Sequence, residues 1–301
     1  MKIAFVGTGM IGAGLAVNSA LYGNETALYY RRNPDQLKER VKAIFDIFVA
    51  GGACTREEAD ERYGKIFFSD DLAAVLDGAE FVQESIAENP DMKKEMYRRI
   101  QEIRGADIII ASSTSMMMPS KLSEGALYPE KIIVGHPYNP SYMLPLIEVC
   151  GPHAGEETID RALEVYRAMG KEPVVCRKEA FGFIVNKISW AAMDGAMDVV
   201  KEGVCSVEDV DKAIIYGPGM RMAVTGQLLT MSLGVKGGFR MMGQKYGKED
   251  DAEKVQLMNK VADGVDEEIA NRPAEKGNTV EGVERFRDKA FIKLLKVHGK
   301  L

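Results

Sequence analysis

At 301 residues, with 46% hydrophobic and 28% charged side chains, the chain is long enough for two globular domains and has an ordinary core-forming composition. A formal net charge of −6 argues against nucleic acid as a partner, because phosphate neutralisation requires a basic surface. No apolar run reaches the roughly 18 residues of a membrane span, and MKIAFVGTGMIG is not built like a signal peptide, so a cytoplasmic protein is expected.

From residue 1 to about 180, short apolar runs alternate with amphipathic stretches. KIAFVG, ETALYY, KIFFS, EFVQES, DIIIAS, KIIVGH, LIEVC and PVVCR, mostly rich in Ile, Val and Phe, read as strands. Between them, PDQLKERVKAIFDIFVA and PDMKKEMYRRIQEI read as helices that open on proline, where a missing N–H is no loss. Such alternation implies βαβ units and a mostly parallel sheet. After Phe181 the strand signals fade, and helical stretches separated by Gly-rich turns follow. Ser206, with Asp209 three residues on, resembles a capping box, and the run KEDDAEK from Lys248 reads as a solvated helix start. The expectation is an α/β fold: a Rossmann-type dinucleotide-binding domain over 1–180 and an all-helical domain over 181–301. Cys54, Cys150, Cys176 and Cys205 lie far apart, which suggests reduced thiols and no metal site.

Gly7-Thr8-Gly9-Met10-Ile11-Gly12 fits GxGxxG between a strand and a helix. The first glycine permits the tight turn, the second lets the backbone approach a pyrophosphate, and the third allows close helix–strand packing. The helix N-terminus offers free N–H groups to phosphate. An acidic residue at the end of the second strand would hold the ribose 2′-hydroxyl of NAD. Here that position falls on Tyr30, followed by Arg31 and Arg32. With no carboxylate to repel a 2′-phosphate and two guanidiniums to bind it, NADP(H) is favoured and NAD(H) is possible.

A second constellation lies at other strand ends. SSTS (Ser112 to Ser115) follows DIIIA, His136 ends KIIVG, Glu148 sits within LIEVC, and Asn186 opens the helical part in FGFIVNK. Ligands of open α/β sheets bind at the carboxyl ends of strands. A histidine there can take the substrate hydroxyl proton as hydride leaves the same carbon, and a carboxylate behind it would orient the ring. Serine and asparagine suit a substrate oxygen that gains negative charge. His153 and His298 read as surface and tail residues, and Trp190 as core.

These segments resemble the L-3-hydroxyacyl-CoA dehydrogenase family over essentially the whole chain: VGTGMIGAG, VQESIAENPDMKKEMYRRI, SSTS, GHPYNP, PLIEV and GFIVN. Ser115 lies 21 residues before His136, Glu148 twelve after it and Asn186 fifty after it. The resemblance implies a substrate-binding serine at Ser115, a catalytic histidine at His136, its partner at Glu148 and a substrate-side asparagine at Asn186. It places Glu88 near the cofactor and Asn139 near the catalytic histidine, and it implies a homodimer through the C-terminal helices. The later stretch GPGMRMAVTGQLLTMSLGVKGG is similar to the branch holding L-carnitine dehydrogenase and lambda-crystallin, whose members act on free 3-hydroxy acids. A free carboxylate needs a cation, and Arg221 is the candidate. Carnitine itself is disfavoured, since a quaternary ammonium favours an aromatic cage and Trp190 is the one tryptophan, with Tyr138, Tyr142 and Phe239 as the other candidates for one. Alternatives are a CoA thioester as substrate, or a non-catalytic, crystallin-like protein.

Overall fold

A computed structural model of the chain describes residues 1–246 and 252–301. Lys248–Asp251 of the KEDDAEK run lie outside the described residues. The chain forms two compact units, Met1–Ala192 and Met193–Leu301.

In the first unit the order is β1 (Lys2–Val6), α1 (Met10–Leu21), β2 (Glu25–Tyr29), α2 (Pro34–Ala50), α3 (Arg56–Gly64), β3 (Phe67–Ser69), α4 (Leu72–Leu76), β4 (Phe81–Glu84), α5 (Pro90–Arg104), β5 (Ile109–Ser112), α6 (Pro119–Leu122), β6 (Ile132–Pro137), β7 (Leu146–Cys150), α7 (Glu156–Ala168) and β8 (Glu172–Val175). All eight strand-like runs of the sequence form strands of one sheet, ordered β3-β2-β1-β4-β5-β6-β7-β8. Neighbours are parallel except β6 and β7. Period-two alternation places Ile3 and Phe5 in one core, with α1, α2 and α7, and Ala4 and Val6 in the other, with α4 and α5. Full burial of each large apolar side chain is worth roughly 1.5–3 kcal/mol, so both faces of the sheet are secured.

The strand order reverses at β1, with β2 on one side and β4 on the other. Crevices outside the carboxyl ends at such a switch point are where open α/β sheets bind ligands. The antiparallel β6–β7 pair sets His136 directly opposite Glu148, and opposed residues share a face of the sheet.

Helix α8 (Val185–Lys201) ends in the second unit, which continues through α9 (Val207–Ile214), α10 (Met220–Thr225), α11 (Gln227–Leu233), α12 (Gly238–Tyr246), α13 (Ala252–Asn271) and α14 (Val280–Val297). Ser206 caps α9 by accepting the Asp209 N–H at 3.1 Å. Leu229, Val265, Ile269 and Val283 form the small core of this unit.

Candidate active site

A cleft of about 730 Å³ opens at the ends of β1, β2 and β4, lined in part by Gly7, Thr8, Gly9, Arg31, Arg32 and Ser85. Gly7 has φ +135°, and a Cβ there would stand 2.4 Å from the Ser85 carbonyl oxygen. A Cβ on Gly12 would lie 2.3 Å from the Gly7 carbonyl oxygen, so the fingerprint turn closes only on glycine. Helix α1 starts with Gly9 as an N-cap that has no side-chain hydrogen bond, which leaves its first amides available to an anion. Arg40 on α2 donates to the Thr8 carbonyl and braces the loop. This turn fits the pyrophosphate of a dinucleotide.

Arg31 and Arg32 are exposed and line the cleft. Tyr30 is not among its lining residues; it packs partly buried against the first core. The position where an acid is expected thus faces the interior, and the two arginines after it present the charge. Met10 and Ile11 line a second cavity, of about 620 Å³, together with Asn139 and Pro140–Tyr142.

At the end of β6, His136 is 3% exposed, and its Nδ1 lies 2.7 Å from Glu148 Oε2. Its Nε2 lies 3.0 Å from Ser115 Oγ. Glu148 is fully buried, and its other oxygen accepts the N–H groups of Ile184 and Val185 at 2.7 and 2.8 Å. Those amides open α8, so the start of this helix ties the carboxylate in place. With Glu148 accepting on both oxygens, Nδ1 carries the imidazole proton and Nε2 presents the basic lone pair. Phe183 packs its ring on the imidazole at 5.4 Å and is held at φ 51°, an uncommon conformation for a non-glycine residue. Asn186 is half-buried one residue beyond the amide that binds Glu148, and its side chain makes no hydrogen bond among the described residues.

Of the four hydroxyls in SSTS, Ser115 alone reaches the imidazole among the described residues. Ser112 donates to Glu84 at 2.8 Å, Ser113 lies 2.8 Å from Gln83 Nε2, and Thr114 donates to Glu88. Glu88, itself exposed, is tied through Thr114 and through Lys93 Nζ at 3.5 Å to a buried network that the sequence reading missed. At its centre Glu84, fully buried, accepts from Lys93 Nζ at 2.7 Å, Tyr97 Oη at 2.5 Å and the Ile86 N–H at 2.6 Å. Burial, and then the Glu84 charge, hold the Tyr97 phenol well above its ordinary range. The available signal was Lys93 on the apolar face of α5, in phase with Met96, Tyr97 and Ile100.

The loop that lines the second cavity is pinned from below. Asn18 Nδ2 donates to the Tyr142 carbonyl at 3.0 Å, Ser141 Oγ to the Ile11 carbonyl at 3.3 Å, and buried Lys171 to the carbonyls of Ser141 and Leu144. Burial lowers the Lys171 ammonium to about 8. Between that value and the ordinary lysine range the unfolded chain binds the proton more tightly, so this group adds stability as pH rises through the window. The stability advantage of wild type over Lys171→Met is expected to grow by roughly 2 kcal/mol from about pH 7.5 to about pH 9.5. Urea unfolding of both proteins at the two pH values checks this, and a constant difference contradicts it.

In the second unit, Arg221 stands in the first turn of α10, its guanidinium 3.4 Å from the Thr230 carbonyl. With Thr230, Arg287, Asp288 and Phe291 it lines a cavity of about 170 Å³. Trp190 is half-buried rather than core: its ring stacks on exposed Phe181 at 5.6 Å, across a Gly182 that leaves no room for a Cβ. His153 is exposed before α7, and His298 caps the end of α14 against Tyr216. Among the described residues no cluster of His, Cys, Asp and Glu is arranged to hold a metal, and no helix is long and apolar enough to cross a membrane.

Residues 2–180 match the NAD binding domain of 3-hydroxyacyl-CoA dehydrogenase, and residues 182–269 match the C-terminal domain of the same enzyme. The chain belongs to the 3-hydroxyacyl-CoA dehydrogenase family. As a member it is a nicotinamide-dependent dehydrogenase acting on a CH–OH group. Among its relatives is the L-carnitine dehydrogenase of Burkholderia mallei, 32% identical over 97% of this chain and 92% of the relative. That of Bacillus cereus is 32% identical over 99% and 93%. A solved family-like structure is a 5-formyl-3-hydroxy-2-methylpyridine 4-carboxylic acid 5-dehydrogenase described as an NAD+-dependent dismutase. It superposes with a TM-score of 0.72 at 25% identity, covering 99% of this chain and 97% of that one.

Proposed function

We propose that the protein interconverts a small free 3-hydroxy acid and its 3-oxo acid, with NADP(H) preferred to NAD(H). The observation that carries the reading is the Ser115–His136–Glu148 relay at 3.0 and 2.7 Å. In oxidation, His136 Nε2 takes the proton of the substrate hydroxyl, and Glu148 stabilises the imidazolium that forms. In reduction, the imidazolium returns the proton while Ser115 Oγ supports the oxygen as it gains charge. A bound nicotinamide would supply the hydride acceptor for oxidation and the hydride donor for reduction.

The free acid is favoured by the L-carnitine dehydrogenases among the relatives and by Arg221, a guanidinium suited to a carboxylate. Replacing Arg221 with Met is expected to raise KM for the acid at least tenfold more than for its methyl ester, since only the acid carries the anion. Steady-state rates with the two substrates check this, and equal effects refute the carboxylate role. NADP(H) is favoured by Arg31 and Arg32 on the cleft and by the absence of an acid at Tyr30. Wild type is expected to favour NADP(H) over NAD(H) by more than tenfold in kcat/KM, and the Arg31→Ala/Arg32→Ala variant to lose most of that margin. A wild-type margin below tenfold overturns the cofactor assignment. A homodimer through α14 belongs to the same reading, with Ile292 and Val297 left 48% and 80% exposed on the single chain.

A further inference from the structure

The cleft at the switch point has two walls of different origin. The segment after β2 supplies Arg31, Arg32 and Asn33, while α5, which follows β4, supplies Met92, Glu95, Met96 and Arg99. Because β1 separates β2 from β4 in the sheet, these groups face one another across the crevice rather than along one edge. Residues 92, 96 and 99 recur at helical spacing, so one stripe of α5 presents two thioethers and a guanidinium to the same space.

The charges in this space do not cancel. Glu95 is the one carboxylate lining the cleft among the described residues, and both its oxygens are taken by Arg98, at 3.0 and 2.8 Å. Arg98 also holds Glu102. The guanidinium of Arg99, half-buried beside that cluster, makes no hydrogen bond or short ion pair among the described residues, and neither do those of Arg31 and Arg32. Arg99 feels the longer-range attraction of Glu95, but that carboxylate is engaged by Arg98, so three guanidiniums without a short ion pair leave the cleft net positive and repel one another unless an anion joins them. A planar guanidinium is built to receive phosphate oxygens in pairs.

We infer that Arg99 is the specificity-determining partner of Arg31 and Arg32, closing on the 2′-phosphate of the adenosine moiety from the opposite wall. The inference rests on the NADP(H) reading above and adds to it a residue from a second element. The methionines Met92 and Met96 supply an apolar, polarisable surface beside it that suits a purine.

The test is calorimetric titration of the whole protein with two fragments, adenosine 2′,5′-bisphosphate and adenosine 5′-monophosphate. Wild type is expected to bind the bisphosphate at least about tenfold more tightly. Arg99→Met is expected to lose at least about fivefold of that preference while its affinity for the monophosphate stays within about twofold, and Arg99→Lys is expected to restore part of the preference. If Arg99→Met keeps the full preference, or weakens both fragments equally, Arg99 does not read the phosphate and the inference falls while the cofactor assignment stands. If wild type shows no preference, the NADP(H) reading itself fails and takes this inference with it. Melting temperatures of the variants separate either result from misfolding.

Discussion

Replacing His136 with Gln is expected to lower kcat by about 100-fold or more while leaving NADPH affinity nearly unchanged. Glutamine fills much of the imidazole volume and can still donate to Glu148, but it has no atom able to hold the substrate proton at neutral pH. The cofactor cleft is lined by other strand ends and by α5, so its affinity has no reason to follow. Single-turnover rates, with a parallel fluorescence titration of NADPH, check both halves of this expectation. Near-normal turnover would remove His136 as the base. A matching loss of NADPH affinity would show that the substitution acts through the fold.

Lys93→Met is expected to cost about 3–5 kcal/mol of folding stability. Lys93 is 1% exposed, and it is the only cation within hydrogen-bond reach of fully buried Glu84 among the described residues. Without it the carboxylate keeps three donors, Tyr97, Ser112 and the Ile86 N–H, but no compensating charge. The second substitution then distinguishes charge from packing. Glu84→Gln combined with Lys93→Met is expected to be markedly more stable than Lys93→Met alone, because it removes the stranded charge. Denaturant midpoints of the four proteins of this cycle decide it, and additive losses would mean that the pair contributes no coupling. Because Ser85 and Ala87, at the carboxyl end of β4, line the cofactor cleft, the same substitution is expected to weaken cofactor binding.

Local patterning carried most of the fold into the sequence. The eight strands announce themselves as short apolar runs, mostly rich in Ile, Val and Phe, and the two proline-opened stretches coincide with α2 and with α5 to within a residue. Short elements such as α3 were missed because their cue is a four-residue capping box, Thr55 to Glu58, and not a periodic face. The histidine–glutamate pair was legible because its residue types have one sensible use, and β6 and β7 bring them opposite each other. The division of labour within SSTS was not legible. It depends on which partner each hydroxyl meets across β4 and β6, as with Ser112 opposite Glu84, and a single strand does not encode that. Tyr30 shows the same limit, since counting residues located the position but not the direction of its side chain.

The reaction proposed for this protein is tested most directly by initial rates of NADP+ reduction by short free 3-hydroxy acids, carnitine among them, beside the CoA thioesters of the same chains. Turnover of a free acid is expected with a kcat/KM at least tenfold above that of its thioester. Turnover confined to the thioesters, or supported by NAD+ alone, would contradict it.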